Sequence, residues 1–136
     1  MGKVKLIALD MDGTLFNSKG EISPKDREAI RKATEAGVAV AVATGRSYVE
    51  LPIDWLYENG VRYAITGNGS AVYKMPNMEC VFSDCLDKEL VCEILEEVGK
   101  LDIYYDVYIE GRVYRPESVT HNIRKMIAKG YCVCSE

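Results

Sequence analysis

Histidine and paired cysteines are scarce in this sequence, which argues against several kinds of site. The 136 residues contain one histidine and five cysteines. No two cysteines have C-x-x-C spacing, and His121 alone adds only one nitrogen ligand, so a zinc site is not expected. Without a secretory signal, reduced thiols in a cytoplasmic protein are expected instead. The cysteines are Cys80, Cys85, Cys92, Cys132 and Cys134.

Long apolar runs and a surplus of basic residues are also missing. The apolar stretch Val4–Leu9 is too short for a signal peptide and soon meets acidic residues, and no run approaches the length of a membrane span. The net charge is −4 and the isoelectric point is near 5.1, with no basic stripe. We therefore expect neither nucleic acid nor a membrane as partner.

The chain alternates strand and helix patterns, which predicts an α/β fold. The apolar run Val4–Leu9 is typical of a strand covered on both faces. Ser23 and Pro24 predict a capped helix start, and Gly37 predicts its end. Val38–Ala43 is a second buried strand. Strand, helix and strand within about forty residues form a βαβ unit, whose strands are parallel.

The later elements are predicted in the same way, from apolar periodicity and turn residues. The pattern favours two core elements, a hairpin, a linker, and then a second group of helices and strands. These are a helix from Tyr48 to near Asn59-Gly60, kinked or restarted at Pro52, a strand Tyr63–Thr66, a hairpin of Ala71–Lys74 and Cys80–Ser83, a linker at 83–87, a helix capped by Asp87, a hairpin of Tyr104–Ile109 and Arg112–Arg115 around Glu110-Gly111, a helix near Val119–Lys129 and a strand from Tyr131.

The most informative feature is a pair of acids, Asp10 and Asp12, directly after the first strand. On an extended chain, side chains at i and i+2 point the same way. Two carboxylates so close repel each other, so they need a cation, a shared proton or open water. Ligands of open α/β sheets bind beyond the carboxyl ends of the strands. The pair therefore predicts a magnesium-dependent phosphoryl-transfer site, whereas the alternative is a solvated surface turn.

Three segments carry a family resemblance. Leu9–Leu15 (LDMDGTL), Val42–Arg46 (VATGR) and Ile65–Ala71 (ITGNGSA) resemble motifs of the haloacid dehalogenase (HAD) superfamily of phosphohydrolases, most closely its Cof-like branch. That branch inserts an α/β cap after the third core strand. The resemblance implies a HAD-like, Rossmann-type parallel core at 1–83 and the first part of an α/β cap at 84–136.

The resemblance also implies a mechanism for the acid pair. Asp10 would be the nucleophile and form an aspartyl phosphate. Mg²⁺ would be held by the Asp10 carboxylate and the backbone carbonyl of Asp12. The Asp12 side chain would act as general acid and base, and backbone N–H groups around Met11 and Gly13 would cradle the phosphate. An aspartate at position 12 resembles the phosphatases and phosphomutases rather than the ATPase branch.

Further candidate residues follow the second and third strands. The Thr44 hydroxyl and the Gly45 N–H suit a phosphate oxygen, although a threonine at a strand end is commonplace. Arg46 is expected to contact substrate or cap, or else to start a helix at the surface. Asn68 is expected in a turn, with a substrate-side role as the alternative. The tyrosines of the second hairpin are expected to pack in the interior, and the alternative is that they close over the substrate. They are Tyr104, Tyr105, Tyr108 and Tyr114. His121 is expected on the surface of a helix.

Two motifs that the resemblance implies are not found. A lysine and a distal acidic cluster would follow the cap, and no Gly-Asp-x-x-Asn-Asp-type segment occurs in the sequence. We therefore expect the chain to correspond to the N-terminal half of a longer phosphatase, with an unpaired sheet edge prone to self-association. The expected activity is Mg²⁺-dependent hydrolysis of small phosphorylated metabolites. The alternatives are an inactive module that binds phosphate or protein and, less favoured, a phosphomutase.

Overall fold

The protein is an α/β fold whose first sheet begins with parallel strands. The computed structural model describes residues 3–101 and 103–115 and the backbone of 133–134. Within this part, the first sheet has the strand order β1-β2-β3-β4-β5, with β1, β2 and β3 parallel and the others antiparallel. Its elements are β1 (Leu6–Asp10), α1 (Pro24–Glu35), β2 (Ala39–Ala43), α2 (Ile53–Glu58), β3 (Tyr63–Thr66), β4 (Ala71–Lys74) and β5 (Glu79–Ser83).

Local sequence signals explain the helices of this unit. Ser23 caps α1, because its hydroxyl oxygen accepts the N–H of Asp26 at 3.1 Å. Gly37 follows the helix with a φ of +75°, a conformation that glycine adopts without strain. Pro52 separates a short 3₁₀ turn, Tyr48–Glu50, from α2, so the predicted restart is confirmed.

Strand β1 differs from the prediction that both of its faces are covered. Among the described residues it pairs with β2 alone, so it lies at an edge of the sheet. Leu6 is 54% exposed and Val4, just before the strand, is 61% exposed. The apolar run correctly identified a strand, but the face that carries Leu6 and Ala8 is exposed among the described residues, and no described strand pairs on the side away from β2.

A second, antiparallel sheet follows the first. Its described strands have the order β6-β9-β7-β8, and its helix α3 is capped by Asp87 as predicted. The predicted linker at 83–87 is wrong in part, because Cys85–Leu86 forms β6, and the strand predicted from Tyr104 begins only at Val107. The elements are β6 (Cys85–Leu86), α3 (Lys88–Val98), β7 (Val107–Ile109), β8 (Arg112–Tyr114) and β9 (Val133–Cys134).

Each sheet has its own apolar cluster. Val91, Val107 and Ile109 form the smaller one, between α3 and β7. The larger cluster packs against the first sheet and includes Met11, Leu15, Phe16, Ile22, Ile30, Val40, Val42, Leu51, Leu56, Val61, Ala64 and Met75. The helix predicted at Val119–Lys129, with His121, lies outside the described residues. In the part that is described, no helix is long and apolar enough to cross a membrane.

Candidate active site

The acid pair lies at the carboxyl end of β1. Asp10 is the last residue of the strand and lies opposite Ala43 of β2. Asp10 and Asp12 are exposed, whereas Met11 between them is completely buried in the core. This alternation follows from the period of two along an extended chain. The buried Met11 side chain thus anchors the backbone on which both carboxylates are displayed.

A tight turn follows the acids. The carbonyls of Asp10 and Met11 accept the N–H groups of Leu15 and Phe16 at 3.1 and 2.9 Å. Gly13 has a φ of +79°, and a Cβ placed on it would meet nothing within 4 Å. Glycine is therefore favoured here by the backbone conformation, and the space above Gly13 is open to a ligand.

The turn after β2 stands beside this loop. The N–H of Thr44 donates to the carbonyl of Ile65 at 3.0 Å, which holds the residue at the end of the parallel strands. The Thr44 hydroxyl oxygen accepts the N–H of Arg46 at 3.2 Å. This bond uses one lone pair of the hydroxyl oxygen, so the hydroxyl hydrogen can still be donated to an anion.

Arg46 joins the two turns. Its guanidinium donates from Nε to Oδ2 of Asp12 at 2.9 Å and from Nη2 to Oδ1 at 2.6 Å. The sequence placed Arg46 towards substrate or cap, and did not indicate this bidentate pair between residues 34 positions apart. The pair supplies a cation to Asp12, which is one of the three conditions expected for two acids so close in sequence.

Asn68 lies against the same turn. It has a φ of +51°, and its N–H donates to the carbonyl of Thr44 at 3.4 Å. A Cβ placed on Gly45 would come within 2.8 Å of the Asn68 side-chain oxygen. The Asn68 amide can therefore occupy this position only because Gly45 has no side chain. The structure therefore brings Asp12, Thr44, Gly45, Arg46 and Asn68 together at one end of the sheet.

An open cavity of about 340 Å³ adjoins Asp12 and Arg46. Gly13 and Phe16 line it from the first turn, and Pro52 lines it from the start of α2. Asn17, Ser18 and Gly20 complete the lining. The cavity is therefore partly polar and has both an acid and a guanidinium at its wall.

Tyr108 is a residue whose place at the site the sequence did not single out. Its hydroxyl donates to the Gly45 carbonyl at 3.2 Å, and only 8% of the residue is exposed. Packing was predicted for all four tyrosines of this region, and it holds for Tyr108, whereas Tyr104 is 71% exposed. The period of two along β7 places Tyr108 on the opposite face from Val107 and Ile109, but it does not indicate which part of the protein that face contacts.

The donor set at this site fits a hard cation such as Mg²⁺, which prefers oxygen ligands and keeps several waters. The exposed Asp10 carboxylate and the Asp12 carbonyl are oxygen donors, whereas both side-chain oxygens of Asp12 are bonded to Arg46. Throughout the described residues, no group of three or more His, Cys, Asp or Glu residues could hold a metal ion. The set is thus suited to a loosely held, largely hydrated ion.

Comparison with known proteins yields a consistent set of relatives. Residues 7–131 match the family described as haloacid dehalogenase-like hydrolase. The chain is 31% identical over 116 residues to phosphatase YwpJ of Bacillus subtilis, covering 85% of this chain and 40% of the relative. It is 32% identical over 115 residues to the HMP-PP phosphatase of Serratia proteamaculans, covering 83% and 39%.

Comparison with solved structures leads to the same family. A solved haloacid dehalogenase-like hydrolase from B. subtilis superimposes with a TM-score of 0.70 at 32% sequence identity, over 83% of this chain and 39% of that one. The chain thus spans about 40% of the length of the curated relatives described here.

Proposed function

Because the chain belongs to the haloacid dehalogenase-like hydrolases, we propose that it carries the nucleophile half of a Mg²⁺-dependent phosphatase of small phosphorylated metabolites. One observation carries the proposal. The turns after β1 and β2 place two aspartates, a threonine hydroxyl and a guanidinium at one end of the sheet. Phosphoryl transfer requires a nucleophile, a proton donor and groups that bind the phosphate oxygens.

Asp10 is the nucleophile in this proposal. Its carboxylate oxygen attacks the phosphorus of a phosphate ester, the bond from phosphorus to the ester oxygen breaks, and the leaving alkoxide takes a proton from Asp12. Asp12 then removes a proton from water, which attacks the phosphorus of the aspartyl phosphate. Inorganic phosphate leaves and the Asp10 carboxylate is restored.

Arg46 has to release Asp12 for this sequence to proceed. Both side-chain oxygens of Asp12 accept hydrogen bonds from the guanidinium, so this pair competes with proton transfer at either oxygen. The phosphate of an arriving substrate offers Arg46 an alternative bidentate partner. We propose that Arg46 shifts from Asp12 to the substrate and that the Asn68 amide lies on the substrate side.

The remaining groups bind and orient the phosphate. The Thr44 hydroxyl, the Gly45 N–H and the backbone N–H groups around Met11 and Gly13 are its donors in this proposal. Mg²⁺, held by the Asp10 carboxylate and the Asp12 carbonyl, would neutralise charge on the phosphate oxygens.

The relatives support a small phosphorylated substrate. They include an HMP-PP phosphatase and a 5-amino-6-(5-phospho-D-ribitylamino)uracil phosphatase, which is 30% identical over 113 residues. The cavity beside Asp12 and Arg46, about 340 Å³, suits a small phosphorylated metabolite.

We also propose a division of the chain near residue 83, because β5 ends at Ser83 and β6 begins at Cys85. A cytoplasmic location is proposed from the free thiols of Cys80 and Cys92.

A second candidate is a module that binds phosphate or protein without turnover. The Asp12–Arg46 pair favours it, because the guanidinium engages both oxygens of the carboxylate that would transfer protons. A phosphomutase is the weaker alternative, since it would need a sugar bisphosphate and would retain the phosphoryl group.

Hydrolysis of p-nitrophenyl phosphate with and without Mg²⁺ tests the proposal. The comparison uses the wild-type chain, Asp10→Asn, and Asp54→Asn as a control at an exposed acid on α2. We expect Mg²⁺-dependent turnover that is lost in Asp10→Asn and kept in Asp54→Asn. Turnover no greater than that of Asp10→Asn, combined with retained phosphate binding, would favour the binding module. Measurable Mg²⁺-dependent turnover that is equal in all three chains would overturn the role of Asp10, and the absence of both turnover and phosphate binding in the wild type would overturn the proposal.

A further inference from the structure

We propose that Tyr108 is a positioning residue that couples the β7–β8 hairpin to the Thr44–Gly45–Arg46 turn, so that hairpin docking and phosphate binding strengthen each other. The inference rests on the proposed function only in taking this turn as the phosphate site. Its basis is the hydrogen bond from the Tyr108 hydroxyl to the Gly45 carbonyl, between residues 63 positions apart.

Alternation along β7 places Tyr108 on the surface that faces the first sheet. Val107 and Ile109 pack into the cluster with Val91 of α3. Tyr108, between them, has the opposite orientation, as the period of two requires. Its ring also reaches the turn after β3, because Cδ1 lies 4.0 Å from the position of a Cβ on Gly67. One side chain from the second sheet thus contacts the turns that follow two parallel strands of the first.

The hydrogen bond from Tyr108 fixes a peptide unit that adjoins the proposed phosphate site. The Gly45 carbonyl and the Arg46 N–H belong to the same planar peptide unit. The carbonyl accepts from Tyr108, and the N–H donates to the Thr44 hydroxyl oxygen at 3.2 Å. Rotation of this unit would break both bonds together. Tyr108 therefore acts through the peptide on Thr44, holding the threonine hydroxyl oxygen in a fixed position beside the proposed phosphate site.

Gly111 provides a second contact for the same hairpin. A Cβ on this residue would collide with the ring of Tyr48 and would lie 2.9 Å from the hydroxyl oxygen of Tyr73. The two rings pack together with centroids 4.7 Å apart. The tip of the hairpin therefore rests directly on this aromatic pair. Because Tyr48 lies two residues after Arg46, both contacts of the hairpin adjoin the same turn.

Coupling of this kind is reciprocal. If a docked hairpin orders the turn and thereby favours phosphate, bound phosphate must favour the docked hairpin by the same factor. The coupling can therefore be measured in two ways: by the affinity for phosphate and by the protection of the hairpin amides from hydrogen exchange.

The test compares wild type with Tyr108→Phe, which keeps the ring and removes the hydroxyl, and with Tyr104→Phe as a control at an exposed tyrosine. Inorganic phosphate is the probe, and NMR of the whole chain reports its dissociation constant and the amide hydrogen exchange of Arg46 and of β7. We expect Tyr108→Phe to weaken phosphate binding by about threefold to tenfold, as for one lost hydrogen bond. We also expect phosphate to slow exchange in β7 of the wild type more than in Tyr108→Phe.

The outcomes separate this inference from the proposed function. Equal phosphate affinity in wild type and Tyr108→Phe would overturn the coupling and leave the phosphate site standing. A wild-type chain that takes up no phosphate would overturn the site. The exchange rate of the Arg46 amide without ligand then decides whether Tyr108 orders the turn: faster exchange in Tyr108→Phe supports positioning, and an unchanged rate refutes it. Tyr104→Phe should match wild type throughout.

Discussion

Arg46 holds Asp12 through both carboxylate oxygens, at 2.9 Å from Nε and 2.6 Å from Nη2. The side chains are 45% and 56% exposed, so the pair is solvated and adds little to stability. Its importance is chemical, because it links the turn after β1 to the turn after β2 and places a guanidinium beside the proposed phosphate site.

We expect Arg46→Ala to weaken binding of inorganic phosphate by about tenfold or more, since a charge-assisted hydrogen bond is lost. The free energy of unfolding should change by less than about 1 kcal/mol, as for an exposed ion pair. Arg46→Lys should fall between wild type and Arg46→Ala, because it keeps the charge and loses the bidentate geometry. Calorimetric titration and urea unfolding measure the two effects, and unchanged phosphate affinity in Arg46→Ala would contradict the role given to Arg46.

Gly45→Ala tests the close approach of Asn68. The new methyl group would lie 2.8 Å from the Asn68 side-chain oxygen, so the amide has to move away from the turn. We expect phosphate affinity to fall by about threefold or more with a modest loss of stability, since residues in contact couple by about 0.5–3 kcal/mol. In an Asn68→Ala background the same change should have a smaller effect. Additive losses in this double-mutant cycle would show that the contact is not the cause.

Ser23→Ala removes the cap of α1. The hydroxyl oxygen accepts the Asp26 N–H, and the hydroxyl donates to Oδ2 of Asp26 at 2.6 Å. The free energy of unfolding should fall by about 1 kcal/mol, within the usual range for a lost N-cap. Ser18→Ala, in the exposed loop before the helix, is the matched control and should leave urea unfolding unchanged. Equal effects of the two changes would refute capping by Ser23.

Self-association through the edge at β1 is also open to test. Leu6 is 54% exposed on β1, one edge of the sheet that the described residues form, whereas Val81 is 49% exposed on β5, the opposite edge. We propose that β1 strands of two copies pair, and we expect Leu6→Lys to shift sedimentation velocity profiles from dimer towards monomer. Val81→Lys should leave the profile as in wild type. A monomeric wild type, or disruption by Val81→Lys alone, would count against this edge.

Local signals in the sequence predicted most of the secondary structure. The cap at Ser23, the restart at Pro52 and the turn at Glu110-Gly111 depend on residues close in sequence, and the structure has all three; φ is +48° and +71° in that turn. The short strand Cys85–Leu86 was not predicted, because it depends on which strands pair, and the unpaired sheet edge that was expected was not assigned to β1.

The same distinction applies to the site. Sequence motifs placed the acids and Thr44 at neighbouring strand ends, since parallel strands bring their carboxyl ends together. The Asp12–Arg46 pair and the Tyr108 bond join residues 34 and 63 positions apart, and no periodicity indicates such partners. The division at residue 83 and the catalytic roles stay predictions.

Trapping the phosphoryl group on Asp10 tests the central claim most directly. The chain is mixed with p-nitrophenyl phosphate and Mg²⁺, quenched in acid and digested, and the peptide that contains Asp10 and Asp12 is sequenced by mass spectrometry. We predict the added mass of one phosphoryl group on Asp10, and none on any residue of Asp10→Asn. Hydrolysis that proceeds with the phosphoryl group on another residue, or an Asp10→Asn chain that hydrolyses as fast as wild type, would contradict the account.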